Sequence, residues 1–133
     1  MGPRVILIED EPNIREAIRF ILSRAGFEVT SHGDGRTAAE LVARDPPDVV
    51  ILDLMLPGRS GLEVLRDLRA REATRALPVL MLTARGRAPD REAALRLGAT
   101  RFMTKPFSNA EVLAAVRALA EAAPEGGRRG VGA

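Results

Sequence analysis

Residues 49–53 read Val49-Val50-Ile51-Leu52-Asp53, an unbroken aliphatic run that ends on a carboxylate. A strand with one face in water alternates apolar and polar side chains. An aliphatic run of this length is instead buried on both faces, the habit of parallel sheets covered by helices. Val5 to Ile8 and Val79 to Leu82 repeat the pattern. Phe27 to Thr30 alternates and Arg101 to Met103 is short, which places those two runs toward the sheet edges. Between the runs lie helical stripes: Ile14, Ala17, Ile18, Ile21 and Leu22; Ala38, Leu41 and Val42; Leu62, Leu65 and Leu68; and Val112, Val116 and Leu119. A further helix is expected from Pro89 to Leu97, closed by Gly98. Pro12 opens the first helix and Gly26 follows its end. Ser60 with Glu63, and Ser108 with Glu111, form Ser-x-x-Glu capping boxes. Strand and helix alternate strictly, which predicts one α/β domain over residues 1–123: a five-stranded parallel sheet with helices on both faces. Residues 124–133, rich in glycine and without periodicity, are expected to form a disordered tail or the start of a linker.

Composition narrows the function. Hydrophobic residues make up 46% and charged residues 29% of the 133, ordinary for a soluble globular protein. No apolar run is long enough to cross a bilayer, and the N-terminus lacks a signal-peptide pattern. The chain has no cysteine, which excludes disulfides and thiolate sites and fits a cytoplasmic protein. The pI near 10.3 suggests nucleic-acid binding, but the formal net charge is only +2. With no tyrosine and one lysine, nothing titrates between neutral pH and the arginines. The basic residues are interleaved with acids and form no stripe with aromatics, so direct nucleic-acid binding by this domain is not expected.

In an open α/β sheet, ligands bind beyond the carboxyl ends of the strands. There the first strand delivers Glu9, Asp10 and Glu11, the third Asp53, the fourth Thr83 and the fifth Lys105; Ser31 and His32 after the second read as incidental. Taken singly, Asp53 is a loop acid or a cap, Thr83 a strand-end threonine and Lys105 a solvent charge. Their arrival on one edge is what those readings leave unexplained. Lys105 is also the sole lysine among 20 basic residues. A compact ammonium grips a single phosphoryl oxygen as a point charge, which a planar guanidinium does not. Crowded carboxylates need a proton or a cation, and all-oxygen ligation favours a hard ion such as Mg²⁺, or Mn²⁺ in its place. A carboxylate beside that ion can attack phosphorus to give an aspartyl phosphate.

The segments 5–12, 48–58, 78–85 and 98–107 together resemble the receiver domains of bacterial two-component response regulators, over roughly residues 4 to 121. The resemblance implies a flavodoxin-like (βα)5 fold with strand order 2-1-3-4-5. It implies Asp53 as phosphoryl acceptor, with Asp10, Asp53 and the Met55 backbone carbonyl holding Mg²⁺ and Glu9 acting through a water. Thr83, Ala84 and Lys105 would bind the phosphoryl oxygens. Thr83 and Phe102 would form the switch, and the Lys105-Pro106 bond would be cis. The donor would be a sensor histidine kinase or histidine phosphotransfer protein, docking at Ile14, Ile18, Pro106 and Phe107. The wording is nearest the subclass with a winged-helix DNA-binding domain, which implies a homodimer through helix four, strand five and helix five. Arg91 and Glu111 match one charge pair of that face. Thr100 and Arg101 stand where the subclass has acids, and Ala114 and Ala115 where it has basic residues.

The chain is read as a phosphorylation-activated signalling switch, no enzyme beyond its own phosphorylation and dephosphorylation. A stand-alone receiver is preferred to the receiver of a transcription factor whose effector domain is absent. An aspartyl-phosphate phosphohydrolase of the haloacid dehalogenase type shares the parts list, but it places its nucleophile on the first strand in an Asp-x-Asp pair, where this chain has Glu9-Asp10. A degenerate binding module would have lost site residues that are all present. Nucleotide binding lacks a Gly-rich phosphate loop after the first strand.

Overall fold

The computed structural model describes residues 2–83 and 88–122. Five parallel strands, β1 (Arg4–Ile8), β2 (Glu28–His32), β3 (Val49–Asp53), β4 (Val79–Thr83) and β5 (Arg101–Thr104), stand in the order β2-β1-β3-β4-β5. They alternate with α1 (Pro12–Arg24), α2 (Ala38–Arg44), α3 (Gly61–Ala70), α4 (Ala88–Arg96) and α5 (Asn109–Ala122). The sheet is flavodoxin-like, and the alternating and short runs occupy its two edges as expected.

The strands' side-chain alternation builds two cores. Ile6, Ile8, Val50, Leu52, Val79, Met81 and Phe102 face one layer and meet Ala38 and Val42 of α2, Val64, Leu65 and Leu68 of α3, and Ala94 of α4. Val5, Leu7, Val49, Ile51, Leu80 and Leu82 face the other and meet Ile18 and Leu22 of α1 and Val112, Val116 and Leu119 of α5. Each fully buried aliphatic contributes roughly 1.5–3 kcal/mol, so the central strands carry most of the hydrophobic stabilisation.

Helix ends set the element boundaries. Gly26 has φ +100°, Gly26 N–H donates to Ser23 O at 3.1 Å and Phe27 N–H to Leu22 O at 3.0 Å. That is a Schellman motif, and it draws Phe27 into the termination of α1. β2 therefore begins at Glu28, one residue later than the alternation suggests, and runs on through Ser31 and His32, which pair with Leu7 and Ile8. Asp53 and Thr83 likewise close their strands rather than follow them. The α4 helix lies one residue earlier than expected, with Gly98 at φ +107° beyond its end. Ala17 is exposed, off the buried stripe of α1.

The two capping boxes differ. At α5 both arms form: Glu111 N–H donates to Ser108 Oγ at 3.0 Å and Ser108 N–H to Glu111 Oε1 at 2.8 Å. At α3 Glu63 N–H donates to Ser60 Oγ at 3.3 Å, but the Glu63 carboxylate turns to Arg59 at 3.9 Å. Ser108→Ala is expected to cost about 1 kcal/mol, read as a lowered midpoint in thermal unfolding followed by circular dichroism. Ser60→Ala should cost less.

Candidate functional site

The site forms where β1, β3, β4 and β5 end. β3 carries its aliphatic run under both helical layers and delivers Asp53, only 3% exposed, at the sheet's carboxyl edge. Leu54 N–H donates to Leu82 O at 2.9 Å and Gly61 N–H to Leu54 O at 2.8 Å, pinning the chain just beyond the acid. Lys105 N–H donates to Thr83 O at 2.7 Å, which seats β5's exit beside β4's. The Lys105-Pro106 peptide bond is cis.

Glu9, Asp10 and Asp53 bring carboxylate oxygens within 4.8 Å of one another. Lys105 Nζ stands 3.2 Å from Glu9 Oε1 and 3.8 Å from Asp53 Oδ2, so the lone ammonium bridges two buried acids. Burial and, after it, the nearby Glu9 carboxylate push the Asp53 carboxyl up to about 7; Lys105 and the Met55 N–H, which donates to Asp53 Oδ1 at 3.3 Å, pull the other way. Glu9 Oε1 makes no hydrogen bond of good geometry although it is wholly buried. Its one close cation among the described residues, the Lys105 ammonium, leaves acceptor capacity unfilled. One ammonium against three carboxylates leaves an excess of negative charge, and the donors are hard oxygens. The cluster fits a divalent cation such as Mg²⁺.

Thr83 is fully buried at the end of β4. Met55 is 48% exposed over the mouth. Phe102 is buried against the layer that holds Met81, Ala94 and Ala99. Ala84 lies outside the described residues, as do Arg85 and the segment 123–133. One expectation needs correcting. Ile18 is 1% exposed and packs beneath α1 against the sheet, so it offers nothing to a docking partner. The large exposed apolar side chain of that helix is Phe20, with the Arg24 guanidinium 5.6 Å from its ring centre. Ile14 and Phe107 are half-buried and Pro106 is exposed. Glu111, expected at a dimer face, is engaged in its own helix cap.

The sequence reading missed Arg15. Its Nη1 donates to the Glu9 main-chain carbonyl at 2.9 Å, and a main-chain acceptor leaves no mark in a sequence. It also passed over Asp48, which is buried and accepts from Arg4 N–H at 2.8 Å, fixing the start of β1 against β3.

Residues 5–117 match the family described as response regulator receiver domain. A 115-residue stretch is 44% identical to the sensory transduction protein RegX3 of Mycolicibacterium smegmatis, covering 86% of this chain and 49% of that protein. The chain thus spans about half the length of that relative. Among solved structures, the receiver domain of sensor histidine kinase PA1611 from Pseudomonas aeruginosa, with a magnesium ion coordinated in its active site cleft, superposes with a TM-score of 0.85 at 31% identity, covering 92% of this chain and 100% of that one. The BeF3-activated N-terminal receiver domain of RstA from Klebsiella pneumoniae gives 0.81 at 31% identity, covering 88% and 97%.

Proposed function

This chain belongs to the response regulator receiver domain family, and from that premise we propose that Asp53 is its phosphoryl acceptor. The supporting observation is the geometry around that side chain: a buried carboxylate at the end of β3, grouped with two further acids and faced by the only lysine. Asp10, Asp53 and the Met55 carbonyl would hold Mg²⁺ directly, with Glu9 behind them. When bound, Mg²⁺ supplies positive charge that offsets the crowded carboxylates and the oxygens of the transferring group.

In the reaction, an Asp53 carboxylate oxygen bonds to phosphorus as the bond from phosphorus to the donor nitrogen or acyl oxygen breaks, and the donor leaves with that electron pair. Lys105, already poised between Glu9 and Asp53, neutralises one phosphoryl oxygen. The Thr83 hydroxyl donates to another. Movement of Thr83 toward the phosphoryl group frees space that Phe102 occupies, and the surface of α4, β5 and α5 follows. The donor is a phosphohistidine on a sensor kinase or phosphotransfer protein, which docks over the half-buried Ile14 and the Pro106-Phe107 loop. We take residues 1–123 as the receiver domain. Among the described residues no helix is long and apolar enough to cross a membrane.

The test is intact mass after incubation with Mg²⁺ and acetyl phosphate. One added phosphoryl group is expected, absent in Asp53→Asn and absent when Mg²⁺ is chelated. An adduct that survives Asp53→Asn would place the acceptor elsewhere. Asp53-dependent release of phosphate with no adduct would favour a hydrolase.

A further inference from the structure

Three of the four polar groups of Glu9 are hydrogen-bonded, and Oε1 has only the Lys105 ammonium as a near cation among the described residues. Its N–H donates to His32 O at 3.0 Å, its Oε2 accepts from Glu11 N–H at 3.0 Å, and its Oε1 faces the Lys105 ammonium at 3.2 Å. The fourth group, the main-chain carbonyl, accepts from Arg15 Nη1 at 2.9 Å. Arg15 lies in the second turn of α1, whose N-cap is Glu11: the Glu11 side chain accepts from Ile14 N–H at 3.0 Å, and Arg15 N–H donates to Glu11 O at 2.9 Å. The turn 9–11 is therefore held from inside by the Glu9 carboxylate and from outside by the Arg15 side chain, which reaches back along the helix.

The arginine is placed for this work. It is half-buried, and among the described residues it makes no ion pair, although acids are abundant nearby. Its hydrogen bond goes to the Glu9 main-chain carbonyl and not to a carboxylate. Room is left for it by Gly33, where an added Cβ would sit 2.8 Å from Arg15 Nη1.

We propose that Arg15 is a positioning residue for the cation site: it fixes the backbone between Glu9 and Asp10, and so aims the acids that hold Mg²⁺. This inference rests on the site reading above. It differs in sign from the alternative. A positive side chain beside a cation site repels the cation, so loss of its charge alone tightens Mg²⁺ binding by a few-fold. Loss of an outer-shell hydrogen bond that orients a ligand weakens binding, typically by about tenfold or more.

The experiment is titration calorimetry with MgCl₂ on the full chain, comparing wild type, Arg15→Met and Arg15→Lys, with amide chemical shifts of residues 9–11 recorded metal-free. Arg15→Met is expected to weaken Mg²⁺ about tenfold and to shift those amides. Arg15→Lys, which keeps a donor and the charge on a shorter reach, should recover part of the affinity. Should Arg15→Met bind Mg²⁺ as tightly as wild type or more tightly, the positioning role is overturned. Should Arg15→Met fail to fold, equal affinity of Arg15→Lys and wild type with unmoved amides overturns it instead. Failure of wild type itself to bind Mg²⁺ overturns the site reading, and with it this inference.

Discussion

Gly61→Ala is expected to destabilise the fold by about 3 kcal/mol or more and to disable the acceptor proposed at Asp53. Helix propensity argues the other way, since alanine exceeds glycine in a helix by about 1 kcal/mol. Gly61 is the first residue of α3, and an added Cβ would lie 2.2 Å from Asp53 O and 2.8 Å from Leu54 Cα. Both are main-chain atoms, so no side chain can swing away to make room. Relief requires α3 to back off from the end of β3. That would strain the Gly61 N–H to Leu54 O bond at 2.8 Å and shift the strand end that carries Asp53. A displacement near 1 Å at a reacting group costs about a hundredfold in rate. Two measurements check this: thermal unfolding by circular dichroism, necessary because the chain has neither tryptophan nor tyrosine, and the rate of phosphoryl incorporation from acetyl phosphate. A variant as stable as wild type would mean that the α3 entry is looser than the structure has it.

What the sequence discloses and what it hides divide along physical lines. The burial of Val49 to Leu52 on both faces is legible because two-sided burial forbids alternation, whereas the β2-β1-β3-β4-β5 order is available only as what the resemblance to receiver domains implies. Asp53 and Lys105 are legible because charge at the end of an aliphatic strand, and a lysine in an arginine background, are departures from a local rule. The main-chain partners are not. Arg15 acts on a carbonyl and Gly61 on a strand end, and backbone atoms are the same in every residue. Ile18 illustrates a different loss: helical spacing marks it as apolar but not whether it faces the core or a partner, and the packing of α1 on the sheet decides. Competition hides the rest. The Glu63 arm of the α3 box is missing because Arg59 offers a charge at 3.9 Å, and Phe27 leaves its strand because Gly26 lets the helix close over it.

Asp53→Asn should be more stable than wild type in the absence of divalent metal. Burial and the Glu9 carboxylate raise the Asp53 carboxyl to about 7 from 3.8. The folded state therefore holds a proton that the unfolded chain has already released. Stability that depends on that proton is complete below the unfolded value near 4, falls as pH rises between about 4 and 7, and is fully lost above 7. Raising a carboxyl's titration midpoint by one pH unit corresponds to about 1.4 kcal/mol, so at pH 8 the neutral asparagine should gain about 2–4 kcal/mol, or on the order of 10 °C in midpoint. At pH 4.5 most of that gap should be gone, because the unfolded carboxyl is then only partly ahead of the folded one in releasing its proton. Saturating Mg²⁺ at pH 8 should close the gap from the other side, because the cation offsets the repulsion in wild type and finds one carboxylate fewer in the variant. Mg²⁺ affinity of wild type should in turn weaken toward tenfold per pH unit below about 7, as proton and metal compete for Asp53. Equal stability of the two chains at pH 8 without metal would sink the electrostatic account of the site. A gap present at pH 8, mostly gone at pH 4.5 and closed by Mg²⁺ would tie the strain of the resting site to the cation proposed for it.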